Sequence, residues 1–128
     1  MENMENQDRP ESIRFMAEDT FSPLLWDEED AGIGDYISFF IGDEEYSLSS
    51  FEGLEEWYLQ ADKYDPYTDV DKFTIEGMEA WINKGYEYVK QLRKMLPNDI
   101  DLYYGFWHKF SDNHWRFCKA YIAKEYEG

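Results

Sequence analysis

The sequence predicts an α+β fold, with two main helices packed on a small antiparallel or mixed sheet in a single two-layer domain. Two amphipathic helical patterns and several short runs of β-forming residues predict this class. The length of 128 residues is typical of one domain. The first ten residues are polar and acidic and end at Pro10. We therefore assign residues 1–10 to a disordered tail and residues 11–128 to the domain.

Two short segments in the first third of the chain predict strands. Residues 12–16 (SIRFM) are rich in apolar side chains that alternate weakly. Residues 36–41 (YISFFI) are aromatic and β-branched and have glycine on both sides, which predicts a buried strand. Between them, Gly32 and Gly34 predict a turn; the pattern lacks the third glycine and the helix start of a dinucleotide site.

The first helix is predicted to begin at Ser49. Glu52 lies three residues further on, as in a capping box. The helix should end near Tyr64, because Asp65 precedes a proline and is therefore biased away from helical geometry. The apolar side chains that follow helical spacing here are Phe51, Leu54, Tyr58 and Ala61.

The second and longest helix is predicted from Thr74 to Leu96, just before Pro97. Thr74 is a suitable N-cap, and Phe73 and Met78 are spaced as a hydrophobic staple. Gly85 lies on the apolar face, so we expect another element to approach the helix closely there. The apolar positions that keep a spacing of three and four are Met78, Trp81, Ile82, Gly85, Val89, Leu92 and Leu96.

The last third of the chain predicts an aromatic β-hairpin. Residues 100–110 read as a strand with Leu102, Tyr104, Phe106, His108 and Phe110 on one side, and residues 111–113 as a turn. Residues 115–122 fit either a returning strand or a helix. The short turn and the aromatic residues in both arms favour the strand.

Charge is the most informative property of the composition. The net charge is −17, with −18 in residues 1–71 and +1 in residues 72–128. Such a field repels nucleic acids and anionic membranes and attracts cationic proteins. Acidity could simply keep an aromatic-rich protein in solution, but solubility does not require this asymmetry. We therefore expect a functional acidic surface, with no direct nucleic-acid or membrane binding.

The sequence also predicts a cytoplasmic location. Cys118 is the single cysteine, so no internal disulfide can form and a reducing compartment is favoured. The first residues lack the basic and apolar regions of a signal peptide. No apolar run approaches the 18 residues typical of a membrane span.

Catalytic and metal sites are not indicated. His108, His114 and Cys118 could form a nucleophile–base pair, but no motif accompanies them, and sheet or core roles explain them better. A cluster of aspartates (Asp62, Asp65, Asp69 and Asp71) lacks the glycine and glutamate of a calcium-binding loop and reads as a solvated charge run. We therefore expect no catalytic residue, no bound metal and no cofactor.

The candidate partner-binding residues combine carboxylates with large rings. Carboxylates orient a basic partner, whereas Trp and Tyr supply buried contacts. Trp57 lies beside the main apolar face of its helix, so it could be a partly exposed anchor or could close the edge of the core. The predicted set is Asp27, Glu28, Glu29, Asp30, Asp43, Glu44, Glu45, Glu52, Glu55, Glu56, Trp57, Tyr58 and Tyr64.

From Leu24 to Tyr104 the chain resembles the immunity proteins of bacterial contact-dependent growth inhibition and polymorphic toxin systems. The matching features, in order, are Leu25-Trp26-Asp27 before an acidic glycine loop, Leu48-Ser49 before Leu54 and Trp57, then Tyr64-Asp65, and a long helix ending in residues 92–97 (LRKMLP) before a tyrosine-bearing strand. The resemblance implies a protein without catalytic turnover that binds a cognate basic toxin, often a nuclease domain, and occludes its active site.

Two other functions remain open from the sequence. An adaptor could recognise a peptide by adding a strand to the edge of its sheet, using the hairpin of residues 102–122. A small hydrolase could use His108 or His114.

Overall fold

The computed structural model describes residues 10–17, 23–34, 38–64, 74–111 and 114–123. The described residues form both helices and strands, so the prediction of an α+β class is confirmed. Of the predicted tail, only Pro10 falls within them. The elements are β1 (Ser12–Phe15), β2 (Leu25–Trp26), β3 (Ser38–Ile41), β4 (Glu44–Ser47), α1 (Leu54–Tyr58), a single 3-10 turn (Ala61–Lys63), α2 (Ile75–Met95), β5 (Asp101–Ser111) and β6 (His114–Ile122).

The main sheet has four strands in the order β2-β1-β5-β6. β1 runs parallel to β5, and the two outer pairs are antiparallel, so this sheet is mixed. A parallel pair needs a long crossover, and the connection between β1 and β5 contains α2. β3 and β4 form a separate antiparallel pair.

Helix α2 matches its prediction closely. The hydroxyl of Thr74 accepts a hydrogen bond from the backbone N–H of Gly77 at 2.9 Å, as an N-cap does. The helix ends at Met95, before Pro97. Phe73, which is predicted to form a hydrophobic staple with Met78, lies outside the described residues. The predicted apolar positions of the helix are buried, and Tyr88 and Arg93 are buried in addition to them.

Helix α1 is shorter than predicted at both ends, because it begins at Leu54 and not at Ser49, and it ends at Tyr58 and not near Tyr64. A separate 3-10 turn follows at Ala61–Lys63. The N-cap of α1 is Gly53, whose φ of 81° is left-handed and interrupts any helix from Ser49. Tyr88 reinforces this break, since its hydroxyl donates to the carbonyl of Glu52 at 2.8 Å. The predicted apolar positions are nevertheless buried, because consecutive turns carry Phe51 and Leu54 to the same side.

The predicted strands are largely confirmed. Residues 114–122 pair with β5 as the second arm of a hairpin, which settles the choice between strand and helix. The strand predicted at residues 36–41 is described from Ser38, and it is not wholly buried. Phe39 and Ile41 face the core, whereas Phe40 is 57% exposed. A two-stranded unit presents alternate side chains to solvent, which explains the difference.

Strand β5 shows which face of the main sheet the long helix covers. The Tyr104 hydroxyl donates to the carbonyl of Ile82 in α2 at 2.8 Å, and His108 contacts Glu79 of the same helix. Side chains alternate along a strand, so Tyr103 and Trp107 point away from α2.

Gly85 permits this close packing, as predicted. A Cβ atom there would overlap the Tyr104 hydroxyl and lie 2.6 Å from Cζ2 of Trp57. The described part of the chain contains no helix that is both long and apolar enough to cross a membrane.

Candidate partner-binding surface

Two carboxylates of the acidic turn after β2 hold it in place by accepting backbone hydrogen bonds. Asp27 accepts hydrogen bonds from the N–H groups two and four residues further on, at 2.8 and 3.0 Å. Glu28 accepts from the N–H groups of Glu11 and Ser12 at the start of β1. These two carboxylates therefore fix the turn beside the sheet, and both residues line the adjoining groove. Glu29, between them and Asp30, is exposed.

Asp30 completes the turn by pairing with the sheet. Its carboxylate lies 2.7 Å from Nη1 of Arg14, and this hydrogen-bonded guanidinium lowers the pKa of Asp30. The same guanidinium lies over the ring of Trp26, 5.8 Å from its centroid. Asp30 therefore stays ionised at neutral pH and holds Arg14 across the face of the sheet.

A second group of carboxylates lies at the β3–β4 turn, with Asp43 in the turn and Glu44 and Glu45 at the start of β4. Asp43, Glu44 and Glu45 are all exposed. Tyr46 packs beside them. Its ring stacks on that of Phe39 with centroids 5.3 Å apart, and its hydroxyl lies 3.3 Å from Oε1 of Glu44. The β3–β4 turn therefore presents three exposed carboxylates, and the ring of Tyr46 lies next to one of them, Glu44.

A third group surrounds α1. Glu52, Glu55 and Glu56 are exposed and line a depression of about 390 Å³, with Leu54 among its lining residues. The helix buries Leu54, Trp57 and Tyr58. The carboxylates accordingly project from its outer side, where a partner can reach them.

Two predicted anchors are wrong, because Trp57 and Tyr58 belong to the core. Trp57 is 4% exposed and Tyr58 is 2% exposed. Trp57 packs between Phe15, at 5.6 Å, and Trp81, at 4.6 Å, so neither ring face is available to a partner. The interpretation that Trp57 only closes the edge of the core also understates its burial.

Tyr64 remains a candidate contact. It is half-buried, and its ring lies 5.2 Å from that of Trp81. It lines a second depression of about 510 Å³ together with Glu52, Glu56 and Lys84. Tyr64 thus adds an aromatic edge to the acidic surface of α1.

A groove that sequence reasoning missed crosses the main sheet on the face that points away from α2. We call this surface the open face. Its volume is about 690 Å³, within the range of roughly 300–1,000 Å³ of typical ligand clefts. Its lining includes Asp27, Glu28 and Asp30 of the acidic turn, together with Arg14, Trp26, Tyr103, Trp107, Phe117 and Lys119.

Aromatic rings and cations are paired on the open face. Nζ of Lys119 lies 4.6 Å from the ring centroid of Tyr103. Trp107 and Phe117 are cross-strand partners in edge contact at 5.6 Å. Tyr121 opposes Tyr103 on β6 in the same way, at 5.5 Å. The period-2 pattern of the hairpin could have revealed this face, because the side opposite Leu102 and Tyr104 is aromatic as well.

The histidines and the cysteine do not form a directly opposed pair. The hairpin register places His108 opposite Arg116, and Cys118 opposite Phe106. Nε2 of His108 lies 3.3 Å from a carboxylate oxygen of Glu79.

Within the described ranges, no group of three or more His, Cys, Asp or Glu side chains is arranged to hold a metal ion. Of the aspartate cluster that was weighed as a calcium site, only Asp62 lies in those ranges.

The three groups of predicted carboxylates line different parts of the surface. The turn of residues 27–30 borders the open face, while Glu52, Glu55 and Glu56 surround α1. Comparison of the chain with protein-family models, curated proteins and solved structures finds no match.

Proposed function

We propose that this protein binds and neutralises a basic protein, as an immunity protein does with its cognate toxin. The observation that carries the proposal is the exposed carboxylate group of Glu52, Glu55 and Glu56 around one depression, on a chain of net charge −17. The resemblance from Leu24 to Tyr104 supports a toxin as the basic partner, and a nuclease domain is the expected class of toxin. We further propose that the protein acts in the cytoplasm and without catalytic turnover.

The proposed mechanism has two stages. The acidic surface first attracts the cationic partner and raises its association rate, an effect that salt weakens. Carboxylates then occupy the positions where the partner would hold substrate phosphates, and the bound protein occludes its active site. Long-range attraction affects the rate of association more than the lifetime of the complex, which requires well-packed contacts.

The proposal takes the domain as two-layered, with helix on one side of the main sheet. The contacts of Tyr104 and His108 with α2 support this arrangement. One side of the main sheet then packs in the core, and its other side and the outer surface of α1 remain accessible to a partner.

Affinity capture from lysate of the source cell tests the proposal. Three tagged baits are compared: the wild type, a Glu55→Lys/Glu56→Lys variant, and a Glu76→Lys/Glu87→Lys variant. Both double variants change the net charge equally, but the second alters α2 and leaves α1 intact. Bound proteins are identified by mass spectrometry after washes at low and high salt.

The proposal predicts one basic protein, retained stoichiometrically by the wild type and released by salt. The α1 variant should retain much less of it than the α2 variant, because the local carboxylates guide docking. Retention of only scattered weak partners would contradict the proposal. Equal retention by both variants would show that α1 is not part of the binding surface.

The position of β6 favours a second candidate, an adaptor that recognises a peptide by strand addition. β6 is the outer strand of the main sheet, and its nine residues have β5 on one side only among the described strands. Main-chain pairing with an added strand depends little on ionic strength. A partner that binds equally well at low and high salt would therefore favour the adaptor over the inhibitor.

A further inference from the structure

The open face differs in composition from an ordinary solvent-exposed sheet face. Antiparallel sheets that face water on one side normally carry polar side chains there. Here Phe117 is 41% exposed and Tyr121 is 50% exposed. Trp107 contacts Phe117, and Trp26 lines the same groove from β2. Trp, Tyr and Arg are the residue types that dominate the centres of protein interfaces, and a groove rich in them marks an interaction site.

The chain's own cations show what this surface accommodates. The guanidinium of Arg14 lies over Trp26 and pairs with Asp30, and the ammonium of Lys119 lies over Tyr103. In both cases a cation rests on the negatively polarised face of a ring, and for Arg14 a carboxylate balances its charge. The same arrangement of rings and carboxylates suits a cation supplied by a partner.

We propose that the open face is the docking surface for an arginine- or lysine-bearing segment of the basic partner. The partner's cationic side chains stack on Trp107, Phe117 and Tyr121, and the carboxylates of the 27–30 turn that line the groove balance their charge. This inference rests on the proposed function and deepens it, because it replaces the buried anchors Trp57 and Tyr58 with exposed ones. The carboxylates around α1 then attract the partner from a distance.

A defined cationic probe tests where a basic segment binds. Hexa-arginine is titrated into the full ¹⁵N-labelled chain at low ionic strength, with hexa-citrulline as a neutral isosteric control. The indole N–H signals of Trp26 and Trp107 report on the open face. Those of Trp57 and Trp81 report on the core, where both side chains are buried.

Matched variants separate the open face from other exposed rings. Phe117→Ala/Tyr121→Ala removes two ring platforms, and Phe40→Ala removes an equally exposed ring from β3. We expect the open-face variant to raise the Kd for hexa-arginine about tenfold, since each ring–cation contact contributes about threefold. Phe40→Ala should change the Kd by less than about twofold. If a variant folds poorly, the indole signals of the wild type still show where the peptide binds.

The expected result is a shift of the Trp26 and Trp107 signals by hexa-arginine and not by hexa-citrulline. Unshifted Trp26 and Trp107 signals, with equal binding by the open-face variant and weaker binding by Glu55→Lys/Glu56→Lys, would overturn the docking site and leave the proposed function intact. Equal binding of both peptides would overturn the role assigned to cations. Failure of hexa-arginine to bind the wild type at all would overturn the proposed function itself.

Discussion

Trp57 and Trp81 exchange hydrogen bonds. The indole N–H of Trp57 donates to the carbonyl of Trp81 at 2.7 Å, the indole N–H of Trp81 donates to the carbonyl of Trp57 at 2.8 Å, and the rings stack with centroids 4.6 Å apart. Both carbonyls belong to helices, so the pair joins the short α1 directly to the long α2. A five-residue helix is too short to be stable alone, and this contact supplies the tertiary support it needs.

The tryptophan pair should therefore be a large contributor to stability. Trp81→Phe removes one indole N–H donor and part of a buried ring, which leaves the Trp57 carbonyl with the backbone N–H of Gln60 alone. We expect a loss of about 2–4 kcal/mol in the free energy of unfolding. Trp57→Phe should cost a similar amount. Urea unfolding of the two single variants and the double variant measures the coupling, expected at about 0.5–3 kcal/mol. Additive single effects would show that the two side chains act independently.

The glycine of α2 provides a second test of packing. Gly85→Ala improves helix propensity by about 1 kcal/mol, yet the new methyl group would meet Tyr104 and Trp57. We expect net destabilisation of about 1–3 kcal/mol, because an overpacked core must shift to admit it.

Gly77→Ala is the matched control for this substitution. Its Cβ would lie 3.1 Å from the Thr74 hydroxyl, at a less buried position near the start of the same helix. It should be less damaging in thermal unfolding. A more stable Gly85→Ala protein would contradict the close approach of β5 and α1 to α2.

Tyr104 predicts how stability depends on alkaline pH. Burial raises the pKa of Tyr104 above its usual range, and burial raises that of Tyr88 as well, against the opposing effect of Lys84. In the unfolded chain both phenols lose their protons near pH 10, whereas the folded protein retains them. The contribution of these two phenols to the free energy of unfolding should therefore be fully present below about pH 10 and be lost as the pH rises beyond it.

Tyr104→Phe isolates this effect. The variant loses the hydrogen bond to Ile82 and should be about 1 kcal/mol less stable at pH 7. Its stability should decline less between about pH 10 and pH 12 than that of the wild type. Denaturant unfolding over this range provides the comparison, and parallel curves for the two proteins would show that Tyr104 is not protected from ionisation.

The elements that the sequence predicts well have signals within their own residues. Thr74 as a cap and the apolar stripe before Pro97 specify α2, and the alternating aromatic arms specify the hairpin. The start of α1 could not be predicted in this way. Ser49 and Glu52 form a valid capping pattern, but Tyr88, 36 residues away from Glu52, bonds to its carbonyl beside the left-handed Gly53. A distant contact decides that boundary.

The candidate site was predictable in charge and not in its aromatic contacts. Local composition identifies Glu52, Glu55 and Glu56, because charged side chains seldom enter a core unpaired. Whether a tryptophan is buried depends on what packs against it. Trp57 meets Phe15 and Trp81, whereas Trp107 lies on the side of β5 that points away from α2.

Growth of cells that produce the captured basic partner tests the central claim most directly. The partner is expressed alone, together with the wild-type protein, and together with the Phe117→Ala/Tyr121→Ala and Phe40→Ala variants. The account predicts that the partner alone stops growth, that the wild type and Phe40→Ala restore it, and that the open-face variant restores it less. A harmless partner, or one whose toxicity is unchanged by the wild-type protein, would contradict neutralisation.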